Sequence, residues 1–428
     1  VYGSDGPHAV IASTLYQKLP EGRKKVLAFA DGRQEAAFFA WYLEDSYRDI
    51  LSRNQMLRIA RSFTPYPAEG ISLQTITDKA LHSFRSAFKE RDSDDETEIR
   101  KNIWRALYNE FLTDEQRISL EGVGLVQWTI KWPHWLTLPE RLKSPPWSLA
   151  EEEIWDLLFI LLDFMRLDKA VDLHTGSGVS LVWSDLAIYG WPTRIVVNER
   201  GELHSGEKRW IGKTGRRVRF LTKLLVKEGL PEKEAREEAV AALLSIWDTF
   251  VQCEQKATSS RDRLLLSVQD GRILNPDWWR LRLVPDEHAL YQCERCGHLQ
   301  TISVRGVCPR NRCSGSMIKV HSRDVALNHY RLLYEEDLPG PLRVEEHTAQ
   351  LDHEKAREFQ REFKDNRIHV LSCSTTFELG VDLGDLDTVF LRNVPPEAFN
   401  YAQRVGRAGR RNTPGFAITY CRRGPHDL

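Results

Sequence analysis

Residues Arg367–Arg411 read RIHVLSCSTTFELGVDLGDLDTVFLRNVPPEAFNYAQRVGRAGRR, and the architecture of the chain can be worked out from this stretch. It holds two short apolar runs bounded by polar residues, Arg367–Cys373 and Thr388–Leu391, which predict two buried strands. Between them lie the hydroxyl-rich loop Ser374-Thr375-Thr376, then Glu378 and a Gly380-Val381-Asp382 turn. After the second run, Pro395-Pro396 marks a loop, and a helix follows with Gln403, Arg404, Arg407, Arg410 and Arg411. The arginines at spacing three, interleaved with Gly406 and Gly409, are expected along one face of that helix. Each glycine costs a helix about 1 kcal/mol against alanine, so two of them indicate a backbone that something packs against or approaches. A solvated basic face would not explain them. Forked guanidiniums match phosphate oxygens and stabilise the charge on a transferred phosphoryl group.

The segment resembles motifs V and VI of superfamily 2 helicases of the DEAD/DEAH-box-like kind, ATP-driven translocases with two RecA-like lobes. Y-A-Q-R-V-G-R-A-G-R carries the family's Q/H-R-x-G-R-x-G-R string without a gap, and F-E-L-G-V-D-L-G-D matches the core of motif V. The resemblance implies that Arg407 and Arg410 reach the phosphates of ATP from the second lobe and that Gln403 approaches the γ-phosphate. It implies further that Gly380 and Asp382 approach the ribose and the finger, while Ser374 and Thr376 hold the nucleic-acid backbone. Ser374 stands where many relatives have threonine, which keeps the hydroxyl and loses a methyl.

At 428 residues the chain predicts two to four domains. A hydrophobic content of 41%, with 13 tryptophans, is enough for sizeable cores. No apolar run approaches the ~20 residues that cross a bilayer. No signal peptide opens the sequence, so the expected location is cytoplasmic. A start at Val1 and an abrupt end at Leu428 lead us to expect a piece of a longer protein. The net charge of −1 does not advertise nucleic acid, but Arg194–Lys227 holds ten Lys/Arg against three Glu. That local excess is compatible with a phosphate-tracking face and equally with ordinary surface variation.

Near the start, Arg23–Asp31 predicts a strand, and Glu35–Tyr47 a helix after the Asp31-Gly32-Arg33 loop. Strand, loop and helix make half a parallel α/β unit. The unit resembles motif IV of the same helicases, with Arg33 expected to face ligand. The next expected pieces come almost three hundred residues later: a strand over Pro341–His347, then Thr348, then a helix over Asp352–Lys364. There the resemblance implies that His347 and Thr348 approach the nucleic-acid backbone. The expected fold class is therefore α/β, a RecA-like parallel-sheet lobe interrupted by a large, mainly helical α+β insertion with a four-cysteine zinc knuckle. The expected segments are 1–50 and 326–428 for the lobe, 51–285 for the insertion and 286–325 for the knuckle.

Within the insertion, three-to-four periodicity predicts helices over Ile71–Ala87, Glu98–Leu112 and Leu149–Arg166, and alternation predicts a strand over Gly122–Lys131. Helices over Val218–Lys227 and Glu232–Phe250 precede strands Arg263–Val268, Gly271–Ile273 and Trp278–Val284, with a hairpin signal at Asp270-Gly271. That is the outline of a winged-helix module. Cys293-x2-Cys296-x11-Cys308-x4-Cys313 has the paired spacing of a closed four-thiolate metal site, zinc first and an iron–sulfur cluster second. Disulfides fit poorly in a chain without an export signal.

The order of parts, including N-H-Y-R-x-L-Y, E-H-T-A-Q-L and N-V-P-P-E, is similar to the bacterial MrfA-related helicases, which act in DNA repair or anti-phage defence. That resemblance implies ATP with magnesium as cofactor, shared with a first RecA-like lobe of the same protein. It also implies DNA as partner, and repair- or defence-system subunits as further ones. No G-x4-G-K-[S/T] loop is found: at Gly206–Thr214 the first glycine is one residue too far away, and no apolar strand leads in. The chain by itself is therefore not expected to hydrolyse ATP. A non-enzymatic nucleic-acid-binding scaffold and an RNA helicase both remain open.

Overall fold

The computed structural model describes residues 6–88, 95–113, 115–176, 178–188, 190–197, 202–212, 214–252, 259, 262–325, 328–348, 351–374, 383–384, 386–395, 397–409 and 414–421. They fall into two compact units. One gathers the described residues within Val1–Ser52, Ala87–Lys89 and Asp337–Leu428; the other gathers those within Arg53–Ser86 and Glu90–Glu336. The first unit is thus assembled from both ends of the chain.

Its centre is a parallel sheet. In chain order the strands are β1 (Val26–Phe29), β2 (Val344–His347), β3 (Val370–Cys373), β4 (Thr388–Leu391) and β5 (Phe416–Thr419), and their spatial order is β2-β3-β1-β4-β5. β1 is the middle strand, with Val26 opposite Val370 on one side and Thr388 on the other. All four residues of β1, β3 and β4 are buried, which is why these strands read as unbroken apolar runs. Side chains alternate between the faces. Val26 and Ala28 join Tyr16, Phe39, Leu43 and Tyr47 from helices α1 (Gly6–Lys18) and α2 (Arg33–Arg61). Leu27 and Phe29 join Phe359 and Phe363 from α3 (His353–Lys364) on the other face. This is the α/β sandwich expected of a RecA-like lobe.

Two elements differ from the reading of the sequence. α2 is far longer than Glu35–Tyr47, because no proline or glycine interrupts residues 33–61. The arginine-bearing helix α4 (Ala398–Val405) ends early, with Gly406 as its C-cap. Arg407 therefore sits in the following turn and does not share a helix face with Arg404.

The second unit contains the helices Leu73–Ala87, Glu96–Phe111, Glu151–Leu167, Arg216–Lys227 and Glu232–Gln252. Buried ion pairs tie it together: Arg53 to Glu110 at 2.7 Å, and Arg166, 2% exposed, to Glu121 at 2.7 Å and Asp163 at 2.6 Å. The short helix His329–Glu335 belongs here, with Arg331 donating to the carbonyls of Val123 and Gly124 at 3.3 Å. The winged-helix outline fails at its third strand. Leu265–Val268 and Gly271–Leu274 do form a hairpin, but Gly271–Leu274 goes on to pair with Arg194–Val196. Trp279–Leu283 lies in a different sheet, between Val126–Ile130 and Ile71–Ser72, because Trp279 packs with Phe111 and Phe159. No helix among the described residues is long and apolar enough to cross a membrane.

Candidate functional site

In open parallel sheets ligands gather beyond the strand carboxyl ends, where the strand order reverses. The crossing from β3 to β4 passes over β1, so that place lies at Phe29, Cys373 and Leu391, which stand side by side in register.

α4 is held at this edge. Arg404 is 0% exposed. Its Nη1 lies 3.5 Å from Asp31 Oδ1, in the loop after β1, and its guanidinium sits 5.5 Å from the Phe29 ring centre. Arg407, 9% exposed, is close to the end of β3. Burial pushes the Cys373 thiol well above the usual thiol range, and the positive charge of Arg407 works against that rise. Local geometry accounts for both glycines of this turn. A Cβ on Gly406 would fall 2.8 Å from the Ala402 carbonyl oxygen, and Gly409 has a φ of +74° while its N–H donates to Leu386 O at 3.0 Å.

Of the other expected residues, Gln403 is half-buried in the last turn of α4, and Arg33 is exposed at the start of α2. Ser374, Thr348 and His347 are buried at 1%, 4% and 9% exposure, so their side chains offer little surface to a strand here. His347 ends β2 and accepts from Gln360 Nε2 at 3.0 Å, and burial lowers its pKa against the opposing effect of backbone hydrogen bonds. Thr376, Gly380, Asp382 and Arg410 lie outside the described residues.

Arg392, directly after β4, was not singled out in the sequence. It is 6% exposed, donates to Glu35 O at 2.9 Å and lies 4.3 Å from the Phe39 ring centre, so it pins the start of α2 to the end of β4. The only signal was a charge set against an apolar strand end.

In the second unit, the four cysteine sulfurs lie within 4.8 Å of one another, with Cys293–Cys313 at 3.6 Å and Cys296–Cys308 at 3.7 Å. All four are free thiols. Zinc–sulfur bonds of ~2.3 Å in a tetrahedron require sulfurs ~3.8 Å apart, so the cluster matches a closed four-thiolate metal site. Backbone N–H groups of Arg295 and Cys296 are directed at Cys293 Sγ, and that of Gly315 at Cys313 Sγ at 3.4 Å, as a thiolate site needs. Gly315 has no room for a side chain, since a Cβ there would meet Cys293 Sγ at 2.6 Å. The strand Ala289–Cys293, paired with Leu299–Gln300 and Met317–His321, ends on the first cysteine, and Cys296 stands in the turn that follows.

Comparison with known proteins agrees with the geometry of the first unit. Residues 306–412 match the helicase conserved C-terminal domain. The chain is similar to the Druantia protein DruE of Escherichia coli, 26% identical over 98% of this chain and 24% of that protein. It is also similar to an uncharacterised ATP-dependent helicase of Methanocaldococcus jannaschii, 40% identical over 15% of this chain and 10% of that protein. The Lhr-Core helicase of the same archaeon is 39% identical over 17% and 9%. The chain spans about a quarter of DruE and less of the others. Residues 306–412 thus match a helicase C-terminal domain, and the arginine-glycine turn seated on a parallel sheet of this order supports reading the first unit as a C-terminal lobe of the superfamily 2 helicase kind.

Proposed function

We propose that this lobe serves an ATP-dependent DNA helicase or translocase of the cytoplasm by presenting Arg407 and Arg410 to nucleotide bound against the protein's first RecA-like lobe. The observation that carries the reading is the seat of α4: Arg404 on Asp31 and Phe29 fixes the arginine-glycine turn beside the carboxyl ends of β1 and β3. ATP with magnesium supplies the phosphoryl group. The chain's own contribution is electrostatic, and comparable fingers raise turnover by ~10³–10⁵. Gln403, Gly380 and Asp382 complete the nucleotide side of the site. Arg33, Ser374, Thr376, His347 and Thr348 would meet a strand through its phosphates, which positions it without reading sequence. For the buried members of that set, this requires their loops to move.

The four-thiolate cluster fits zinc, which would fix the knuckle without taking part in the chemistry. DNA is favoured over RNA by the order of motifs, and a place in repair or anti-phage defence follows from the same resemblance. In the whole protein, Arg410→Ala should lower nucleic-acid-stimulated ATP hydrolysis by at least ~10³-fold while leaving the melting temperature unchanged. Near-normal turnover would remove Arg410 from the finger. Unwinding of tailed DNA and RNA duplexes by the same preparation separates the two substrates.

A further inference from the structure

The second unit carries its own concentration of positive charge, unconnected with the motor motifs. A groove of about 1030 Å³ opens at the start of the helix Arg216–Lys227 and is lined by Lys208, Arg209, Arg216, Arg217 and Arg236. Among its described lining residues the acids are Asp168 and Glu207. Glu207 is already engaged, by Arg194 at 2.8 Å and the His204 N–H at 2.8 Å. Asp168 meets three cations at once: Lys208 at 2.9 Å, Arg216 at 3.0 Å and Arg217 at 3.2 Å. One carboxylate cannot balance three cations.

The imbalance is sharpest at Arg217. It is 3% exposed, and its Nε has no hydrogen-bond partner among the described residues. Burial lowers its pKa to about 10 against the pull of Asp168, with Arg216 adding to the fall. At the same place Gly215 caps the helix and offers no side-chain acceptor to the first-turn N–H groups. Charge continues along the helix at four-residue steps toward the cysteine knuckle. Arg219 donates to Asn311 at 3.0 Å, Lys223 to the Cys313 carbonyl, and Lys227 to the Arg305 carbonyl at 2.6 Å. A 12-residue helix is about 18 Å long, more than one phosphate or pyrophosphate can engage.

We propose that this groove, with the basic row leading from it to the knuckle, is a phosphodiester-binding site that holds a nucleic-acid backbone on the insertion. The missing negative charge is supplied by phosphate oxygens, and uncapped helix N–H groups and guanidinium forks suit them geometrically. The proposal rests on charge and geometry within the second unit and does not depend on the ATP-driven reading.

The test measures binding of fluorescein-labelled single-stranded and duplex DNA to the 428-residue chain, without nucleotide, across a salt series. The comparison is with the combined variant Lys208→Gln, Arg209→Gln, Arg236→Gln and with Arg236→Glu alone, which is exposed and leaves the Asp168 cluster intact. Affinity should fall at least ~10-fold in the combined variant, and the slope of log affinity against log salt should shrink by about 3. Arg236→Glu should give a smaller loss with an unchanged melting temperature. Unchanged affinity and slope in both variants would overturn the site. So would pyrophosphate binding that is lost in the combined variant while DNA binding persists, since the groove would then serve small anions. Failure of ATP hydrolysis in the whole protein would leave this measurement untouched.

Discussion

Arg404 Nη1 lies 3.5 Å from Asp31 Oδ1 although the two residues are 373 positions apart in the chain. The contact joins the helix before the arginine-glycine turn to the loop after the central strand. Its two ends differ in environment: Arg404 is 0% exposed, whereas the Asp31 side chain is 37% exposed. An ion pair with one end in water contributes little, ~0–1 kcal/mol. The stem and guanidinium of Arg404, buried over Phe29, contribute more.

It follows that Arg404→Ala should lower the unfolding free energy of the lobe by about 2–4 kcal/mol, the range for emptying a buried large site. Asp31→Asn should cost less than about 1 kcal/mol. Arg404→Lys should recover little, because an ammonium cannot lie flat on the ring. Urea denaturation of the three variants checks the order. Equal costs for Asp31→Asn and Arg404→Ala would mean that the ion pair dominates.

The turn glycines give a second prediction. Gly409→Ala forces a side chain into the left-handed region at a cost of about 1–2 kcal/mol. Gly406→Ala sets a Cβ 2.8 Å from the Ala402 oxygen, which also accepts the cap N–H at 2.9 Å, so the cap must shift. Arg407 moves with it. In the whole protein Gly406→Ala should therefore lower ATP turnover by ~10²-fold, the scale of an ångström misplacement, with only a modest change in melting temperature. Retained turnover would show that the turn tolerates the shift.

What the sequence disclosed and what it hid have physical causes. The strands β1, β3 and β4 were legible because a parallel strand buried on both faces must be apolar throughout. The knuckle was legible because thiolate spacing reflects local turns. Helix ends were less so: nothing in Glu35–Tyr47 announces where α2 stops, and only the position of Gly406 hinted that α4 ends before Arg407. Partners distant in sequence were invisible. Nothing local tells that Arg404 meets Asp31, that Arg392 reaches Glu35, or that Trp279–Leu283 pairs with Val126–Ile130 and leaves the hairpin before it.

For the knuckle, Cys308→Ser should release the metal and loosen the surrounding strands, since Cys308 is fully buried in the cluster. A chromogenic chelator should detect about one zinc per chain after thiol modification, and none in Cys308→Ser. Visible absorbance with iron in the preparation would instead assign the four thiolates to an iron–sulfur cluster. A metal-free chain melting like the loaded one would dismiss the site.

His347 gives a pH-dependent prediction whose sign can be worked out. Burial lowers its folded-state pKa below the ordinary 6.5, and backbone hydrogen bonding only partly offsets the fall. Between the lowered value and 6.5 the unfolded chain binds the extra proton and the folded chain does not, so stability rises with pH across that interval. The contribution is complete above 6.5 and is lost as pH falls through the folded-state value. His347→Gln removes the titrating group while keeping a polar side chain near Gln360, whose amide now donates to the imidazole at 3.0 Å. Melting temperatures of the two chains should therefore run parallel above pH 6.5 and converge toward acid, where the wild type loses its advantage. Curves parallel through the whole range would mean that His347 titrates alike in both states. The ring would then be open to solvent and able to reach a passing phosphate without movement of its strand end.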